Sequence, residues 1–256
     1  MPFFRAEKKL VYYAHVPKCG GSAIAYYLED RFGTLGFYDN SFHKKRARNV
    51  AWTATSPQHV DAETLESLLP LTFFDAMFAV VRHPVPRTVS TYHFQREVEG
   101  RIPSDVSFSK WLKNLETSGF GLYEYDNHVL PMDVLVPQAS TIFHLEHGLD
   151  GLVVWLDLLT GKKTGPRVIM PENARGALVG VKSDKVVPTP EDIDRIGRIY
   201  AADFARFGYQ PDQPEPQNPA PELTEAFMAA RNRAFKSLQH PVNRFRQRLR
   251  RRLRRL

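Results

Sequence analysis

Two stretches of this chain hold residue types that bind phosphate-like anions. Pro17-Lys18-Cys19-Gly20-Gly21-Ser22 follows the apolar run Leu10–Val16 and precedes Ala23–Arg31, which has helical spacing. Two glycines let the backbone approach an anion closely, and successive N–H groups at a helix start form an anion cradle. Lys18 adds a point charge and Ser22 a hydroxyl donor. The order is not that of a Walker A loop, because Lys18 precedes the glycines. Read alone, the loop is explained equally well as a Gly-Gly turn beside a surface lysine.

The second stretch is FAVVRHPVPRTVSTYHF, residues 78–94. Arg82 stands at the end of an apolar strand, where ligands of parallel α/β sheets gather. Arg87 and Ser90 lie about one turn apart on the helix that follows, so both can face the strand end. An arginine fork with a hydroxyl suits a terminal phosphate. Surface pairing of both arginines with carboxylates is the competing reading.

These residues need a scaffold, and the pattern around them supplies one. Leu10–Val16 and Met77–Val81 read as buried strands, Thr141–Leu145 as a third. Helices are expected over Ala23–Arg31, Asp61–Leu69 with Asp61 as cap, Val85–Arg96, Leu149–Leu159 with a stop at Gly161, and Thr189–Phe207. Val106–Leu115 and Gly121–His128 are less defined. Repeated strand–loop–helix units predict an α/β, P-loop-like three-layer fold with a mostly parallel central sheet. Residues 1–210 form the expected domain. Residues 211–221 are Pro-rich and polar, a linker or a surface-hugging extension, and 222–256 form a basic helical tail.

The chain has 256 residues, 43% hydrophobic and 25% charged, with one Cys. That composition excludes a disordered chain, a disulfide scaffold within one chain and a Cys-rich metal site. The net charge of +7 is unevenly spread: Glu222–Leu256 holds ten Arg and one Lys against two Glu, or +9. Residues 1–221 therefore hold 24 basic and 26 acidic groups, or −2. A near-neutral body argues against nucleic acid as partner and makes any positive site in it local. No apolar run reaches the ~18–20 residues that span a bilayer. MPFFRAEKKL lacks the apolar core of a secretory signal, so a cytoplasmic location is expected, peripheral at the inner face of a membrane if the tail docks there.

Together the two motifs are far more specific than either alone. HVPKCGGSA followed by VVRHPVPRTVSTY resembles the carbohydrate-type sulfotransferases, which use 3′-phosphoadenosine-5′-phosphosulfate (PAPS). SPQHVDAETLESLLP (56–70), PQASTIFHLE (137–146) and IYAADFARFGY (199–209) extend the likeness over roughly residues 10–210. The chain departs from the family pattern at Cys19 and Ala23, where Thr and Ser are common, and at His83, where Asn or Asp is usual. These changes leave the backbone cradle intact but remove one hydroxyl contact at Ala23.

The resemblance implies transfer of a sulfuryl group from PAPS to an acceptor hydroxyl. Lys18, Cys19, Gly20, Gly21 and Ser22 would hold the 5′-phosphosulfate, with Lys18 stabilising charge on the departing oxygen. Arg82 and Ser90 would hold the 3′-phosphate, with Arg87 in support. No metal is required by this scheme. The base would be a histidine, which titrates near pH 6.5 when unperturbed. His59 is first, because relatives that use a His base carry it shortly before the 3′-phosphate arginine; His43 and His128 follow. His15, His93 and His144 are expected to be structural. A basic run (Lys44, Lys45, Arg46, Arg48) could engage a carboxylated or sulfated glycan, and Trp111, Tyr123 and Tyr125 could stack on sugar rings or belong to the core.

Two further readings compete: a P-loop nucleotide phosphotransferase, and a non-catalytic anion- or membrane-binding protein driven by the tail. After Pro241, apolar residues at Val242, Phe245, Leu249, Leu253 and Leu256 form a narrow helical stripe among arginines. Such a helix suits an anionic membrane surface, a coiled coil or a polyanion; a frayed solvated tail is the plainer alternative.

Overall fold

The computed structural model describes residues 2–42, 45, 53–121, 123–171, 185–240 and 243. His43, Lys44, Arg46, Arg48 and the tail stripe lie outside the described residues. The described chain is an α/β domain around a four-stranded sheet in the order β1-β2-β3-β4. The strands are β1 (Phe3–Ala6), β2 (Lys9–Ala14), β3 (Ala76–Val81) and β4 (Thr141–His144). β2, β3 and β4 run parallel, and β1 is antiparallel to β2. Val11–Ala14 and Met77–Val81 are buried at every position, so layers cover both faces of the sheet. This is the mostly parallel, P-loop-like architecture anticipated from the pattern.

β1 is the strand the pattern did not announce. Its four residues return to β2 through Glu7 and Lys8, with Glu7 at φ 57°, and no Asn-Gly or Asp-Gly signal marks that turn.

The helices are α1 (Gly21–Phe32), α2 (Ala62–Leu68), α3 (Pro84–Glu97), α4 (Phe108–Ser118), α5 (Met132–Leu135), α6 (Asp150–Thr160), α7 (Pro190–Ile199), α8 (Ala201–Phe207) and α9 (Glu225–Gln239). Local chemistry sets their ends. Asp61 caps α2 by accepting from Thr64 N at 2.8 Å. Gly161, left-handed at φ 67°, stops α6. α1 is held to the sheet by Ile24 and Leu28, both fully buried, each stabilising by about 1.5–3 kcal/mol.

Thr189–Phe207 is two helices instead of one. Tyr200, buried at φ −114° and ψ 30°, breaks the run between α7 and α8, and its hydroxyl donates to Val129 O at 2.9 Å. The period of apolar residues continues across the break, so the sequence shows no kink.

Residues 211–221 lie against the domain. Gln217 N donates to Gly208 O at 2.8 Å, Pro216 is buried, and Pro221 packs on Gly151. α9 follows and buries Phe227 beneath the Arg167 guanidinium, 5.2 Å from the ring centre; Arg231 pairs with Asp150 at 3.2 Å. Among the described residues no helix is long and apolar enough to cross a membrane.

Candidate active site

The first motif lies where β2 ends and α1 begins. Gly20 is the N-cap of α1 at φ 81°, with no side-chain cap. The first N–H groups of a helix have no partner within it, so an uncapped start is a ready anion site. Gly21 is required for a second reason: a Cβ there would lie 2.0 Å from His15 Nε2. The imidazole of His15 occupies the space that any larger residue at 21 would need.

Lys18 holds a left-handed backbone at φ 67° in this loop. Its Nζ lies over the Phe94 ring, 3.8 Å from the centroid. Burial, helped by Arg82 and opposed by Glu99, lowers its pKa from the ordinary 10.5 to about 8. Cys19 is buried and its Sγ approaches Pro17 O at 3.6 Å. Burial outweighs the nearby Arg87 and Arg82 and pushes the thiol up to about 12, so Cys19 contributes backbone and packing.

The second motif starts α3. Arg82, half-buried, donates from Nη1 to Lys18 O at 3.3 Å and so ties the two motifs together. Ser90 is half-buried on the same helix. Arg87 has a different place from the one expected. It is 1% exposed, and its guanidinium donates to Pro17 O at 3.3 Å, His128 O at 3.3 Å and Leu130 O at 2.8 Å. Its Nη1 lies 3.9 Å from Asp203 Oδ2. Its fork is committed to the protein, so its support reaches the loop from beneath and not through contact with a ligand.

His59 ends a short 3-10 turn, Pro57–His59, and is 5% exposed. Its Nδ1 lies 2.9 Å from Asp126 Oδ2 and 2.7 Å from Ser56 Oγ. Asp126 also accepts from Ser56 N at 2.6 Å and from Ser56 Oγ at 2.7 Å. Burial pushes the Asp126 carboxyl up, but the neighbouring His59, its ring N–H hydrogen bond and the Ser56 N–H outweigh it and hold the group well below the usual carboxylate range. Asp126 is therefore a carboxylate that fixes the Nδ1–H tautomer of His59, leaving Nε2 as the acceptor nitrogen.

The backbone is bent to make this contact. Tyr123, Tyr125, Asp126 and Asn127 have φ of 61°, 49°, 56° and 61°. Left-handed residues other than glycine cost about 1–2 kcal/mol each, less for Asp and Asn. Asn127 Nδ2 donates to His59 O at 2.9 Å, a second tie between the same two turns.

A chain of rings joins the halves. Phe94, under Lys18, stacks on His128 at 5.2 Å; His128 meets His59 edge-on at 4.8 Å; His59 stacks on His15 at 5.1 Å. Burial first, then the neighbouring His59, lowers both His128 and His15 well below the ordinary value, so both are neutral. His128 Nδ1 donates to Tyr125 O at 2.7 Å. Ligating atoms of His59, Asp126 and His128 lie within 4.8 Å of one another, but the Asp126 oxygens are already engaged by Ser56 and His59, which makes this a hydrogen-bonded dyad with a neutral neighbour.

The structure thus brings His59 and His128 to the cradle, while His43 lies outside the described residues. Asp126 and Ser56, which hold His59 Nδ1, were not singled out in the sequence; the acidic residue two before His128 was the available signal. His15, expected to be structural, packs its ring against Gly21 and His59. Trp111, 4% exposed, is core, packed at 5.5 Å from Tyr92. Tyr125 is half-buried and Tyr123 is half-exposed. Lys45, the described member of the basic run, pairs with Asp39 at 2.7 Å.

A family model described as the sulfotransferase family matches residues 1–147, more than half of the chain. No curated protein and no solved structure matches it. The matched residues carry the cradle, Arg82 with the helix α3 that follows it, and both halves of the dyad, and the chain belongs to the sulfotransferase family.

Proposed function

We propose that the protein transfers a sulfuryl group from PAPS to a hydroxyl of a carbohydrate or related acceptor. The observation that carries this reading is the joining of distant parts of the chain: the Lys18 cradle and the dyad of His59 and Asp126, 41 and 108 residues further on, linked through Phe94 and His128.

The cradle suits the donor. Gly20 and Gly21 leave the backbone bare at an uncapped helix start, and the half-buried Lys18 and Arg82 bring charge to it. In this reading the backbone of Cys19, Gly20, Gly21 and Ser22 holds the 5′ end, Arg82 and Ser90 hold the 3′-phosphate, and Arg87 keeps the loop in place. PAPS supplies an activated sulfuryl group whose leaving partner is 3′,5′-adenosine bisphosphate. His59 Nε2 accepts the acceptor's hydroxyl proton as the new S–O bond forms and the phosphosulfate bond breaks. Asp126 stabilises the imidazolium that results. Lys18 offsets the charge that develops on the departing oxygen. As in phosphoryl transfer, positioning and charge stabilisation carry most of the rate.

The test is incubation with PAPS and a panel of glycans and other hydroxyl compounds, with sulfated product as readout. Absence of product, together with no binding of 3′,5′-adenosine bisphosphate, overturns the reading. The same reading gives residues 241–256 a separate task, docking on an anionic membrane surface while the body performs the chemistry.

A further inference from the structure

The reaction above uses the cradle and the dyad and leaves a row of aromatic rings at the β1 edge unused. Phe37 stands 5.7 Å from Phe3, Phe3 stands 5.9 Å from Phe74, and Phe74 stands 5.3 Å from Phe73, ring centre to ring centre. Phe74 is buried. Phe37 and Phe73 are half-exposed, and Leu68, the last residue of α2, is exposed. Exposed apolar surface that runs on from ring to ring in this way marks a place where something binds.

The row is fastened to the turn that carries His59. Gln58 accepts from Asp39 N at 3.1 Å through Oε1 and donates from Nε2 to Asp39 O at 3.3 Å. Tyr38, between Phe37 and Asp39, has its ring 6.1 Å from His15, and His15 stacks on His59. One loop therefore reaches the dyad with Tyr38 and the surface with Phe37. On the other side, α2 begins three residues after His59 and ends at Leu68. The backbone is held to present Phe37. Its φ of 51° is left-handed, which is unfavourable for a bulky residue. Gly36 N donates to Phe3 O at 2.8 Å, and a Cβ on Gly36 would lie 3.0 Å from the Phe3 ring. Strain and pairing together keep an apolar ring at the surface beside the site.

The surrounding charges decide what covers it. Glu63 and Glu66 are exposed on α2, and exposed Asp75 follows Phe74, so an anionic lipid surface is repelled here. Arg5 is exposed on β1, the edge strand, so pairing with a second copy along that edge brings arginines together. A neutral apolar chain meets neither obstacle. The proposed reaction brings one molecule besides the donor to His59, and that molecule is the acceptor. We infer that the acceptor is an amphiphile: its hydroxyl-bearing head reaches His59, and its alkyl or acyl chain lies along Phe37, Phe3 and Phe73. The inference rests on the sulfuryl-transfer reading above and adds the class of acceptor.

The experiment incubates the full chain with PAPS and with methyl, octyl and dodecyl glycosides of glucose, galactose and maltose, below the concentrations at which they form micelles. The readout is kcat/KM for sulfated product at each tail length on one head group. The unaltered chain is expected to prefer dodecyl over methyl by about tenfold or more, because each fully buried methylene is worth about fourfold. Phe37→Asn with Phe73→Ser should bring that ratio close to one, with calorimetric affinity for 3′,5′-adenosine bisphosphate unchanged. Asn tolerates the left-handed backbone, so the turn keeps its shape. Leu68→Ser, at an exposed helix end where folding is not at stake, should lower the ratio part of the way. A ratio near one in the unaltered chain, a ratio unmoved by these variants, or no sulfated alkyl glycoside from a chain that binds the bisphosphate overturns this inference alone. If there is neither product nor bisphosphate binding, the sulfuryl-transfer reading falls and this inference with it.

Discussion

Asp126 decides what His59 can do. An imidazole whose Nδ1–H is held by a carboxylate presents a basic Nε2 and tolerates the positive charge it gains. Asp126→Asn should therefore reduce kcat by about 10²–10⁴-fold while the affinity for 3′,5′-adenosine bisphosphate stays unchanged, checked by steady-state kinetics beside calorimetry. The same carboxylate acts on stability. Its folded-state pKa is lowered, so its contribution is complete above about pH 4 and is lost as pH falls through the lower folded value. The gap in melting temperature between the protein and Asp126→Asn should close in acid.

Lys18 supplies the second pH dependence. With a pKa of about 8, it is charged at neutral pH and loses its charge above that value. A bound anion favours the charged form. Bisphosphate affinity should hold steady below pH 8 and then fall by up to about tenfold per pH unit, whereas Lys18→Met should bind weakly with a flat profile. In the free protein the sign is opposite. The unfolded chain keeps this proton up to about 10.5, so stability from this group rises between about pH 8 and 10.5.

At the scale of elements, α1 and α3 meet at the loop that both motifs build. Gly21→Ala would drive a methyl into the His15 ring, and overpacking of this kind costs about 1–3 kcal/mol. The expected result is a lower melting temperature and loss of bisphosphate binding, since His15 and the cradle cannot both keep their places. Arg87 is the pin between α3, the Pro17 carbonyl and the residues 128–130 that follow Asp126. Burial pushes the Asp203 carboxyl up and Arg87 opposes that shift. Arg87→Leu leaves Asp203 without its counter-charge and should cost about 3–5 kcal/mol in urea unfolding at pH 7. That loss should shrink at lower pH, where Asp203 takes up a proton and no longer needs a partner.

At the scale of the whole molecule, the charge is partitioned. The body is near neutral, so in the proposed function it binds anions through a few placed groups, while residues 241–256 carry eight arginines and no acid. Basic residues at an anionic lipid surface contribute about 1 kcal/mol each. Removing 241–256 should abolish sedimentation with phosphatidylserine vesicles and leave bisphosphate affinity within about twofold. A parallel loss of nucleotide binding would mean that the arm belongs to the site.

What the sequence by itself determined is local. The Lys18 loop, the Asp61 cap, the stop at Gly161 and the strand–loop–helix repeats were legible because each depends on residues within a turn or two of one another. The tertiary structure decided the rest. Asp126 meets His59 across 67 residues, through a left-handed turn that carries no glycine to announce it. Arg87 and Arg82 are equal in sequence, five positions apart, and only packing makes one a buried pin and the other a half-buried group at the cradle. The Pro-rich segment reads equally as a linker or a surface-hugging extension, and only the packing of Pro216, Gln217 and Pro221 against the domain decides for the second. Caps, breaks and periods are written in neighbouring residues; which carboxylate meets which imidazole depends on how distant elements pack, and no local pattern encodes that.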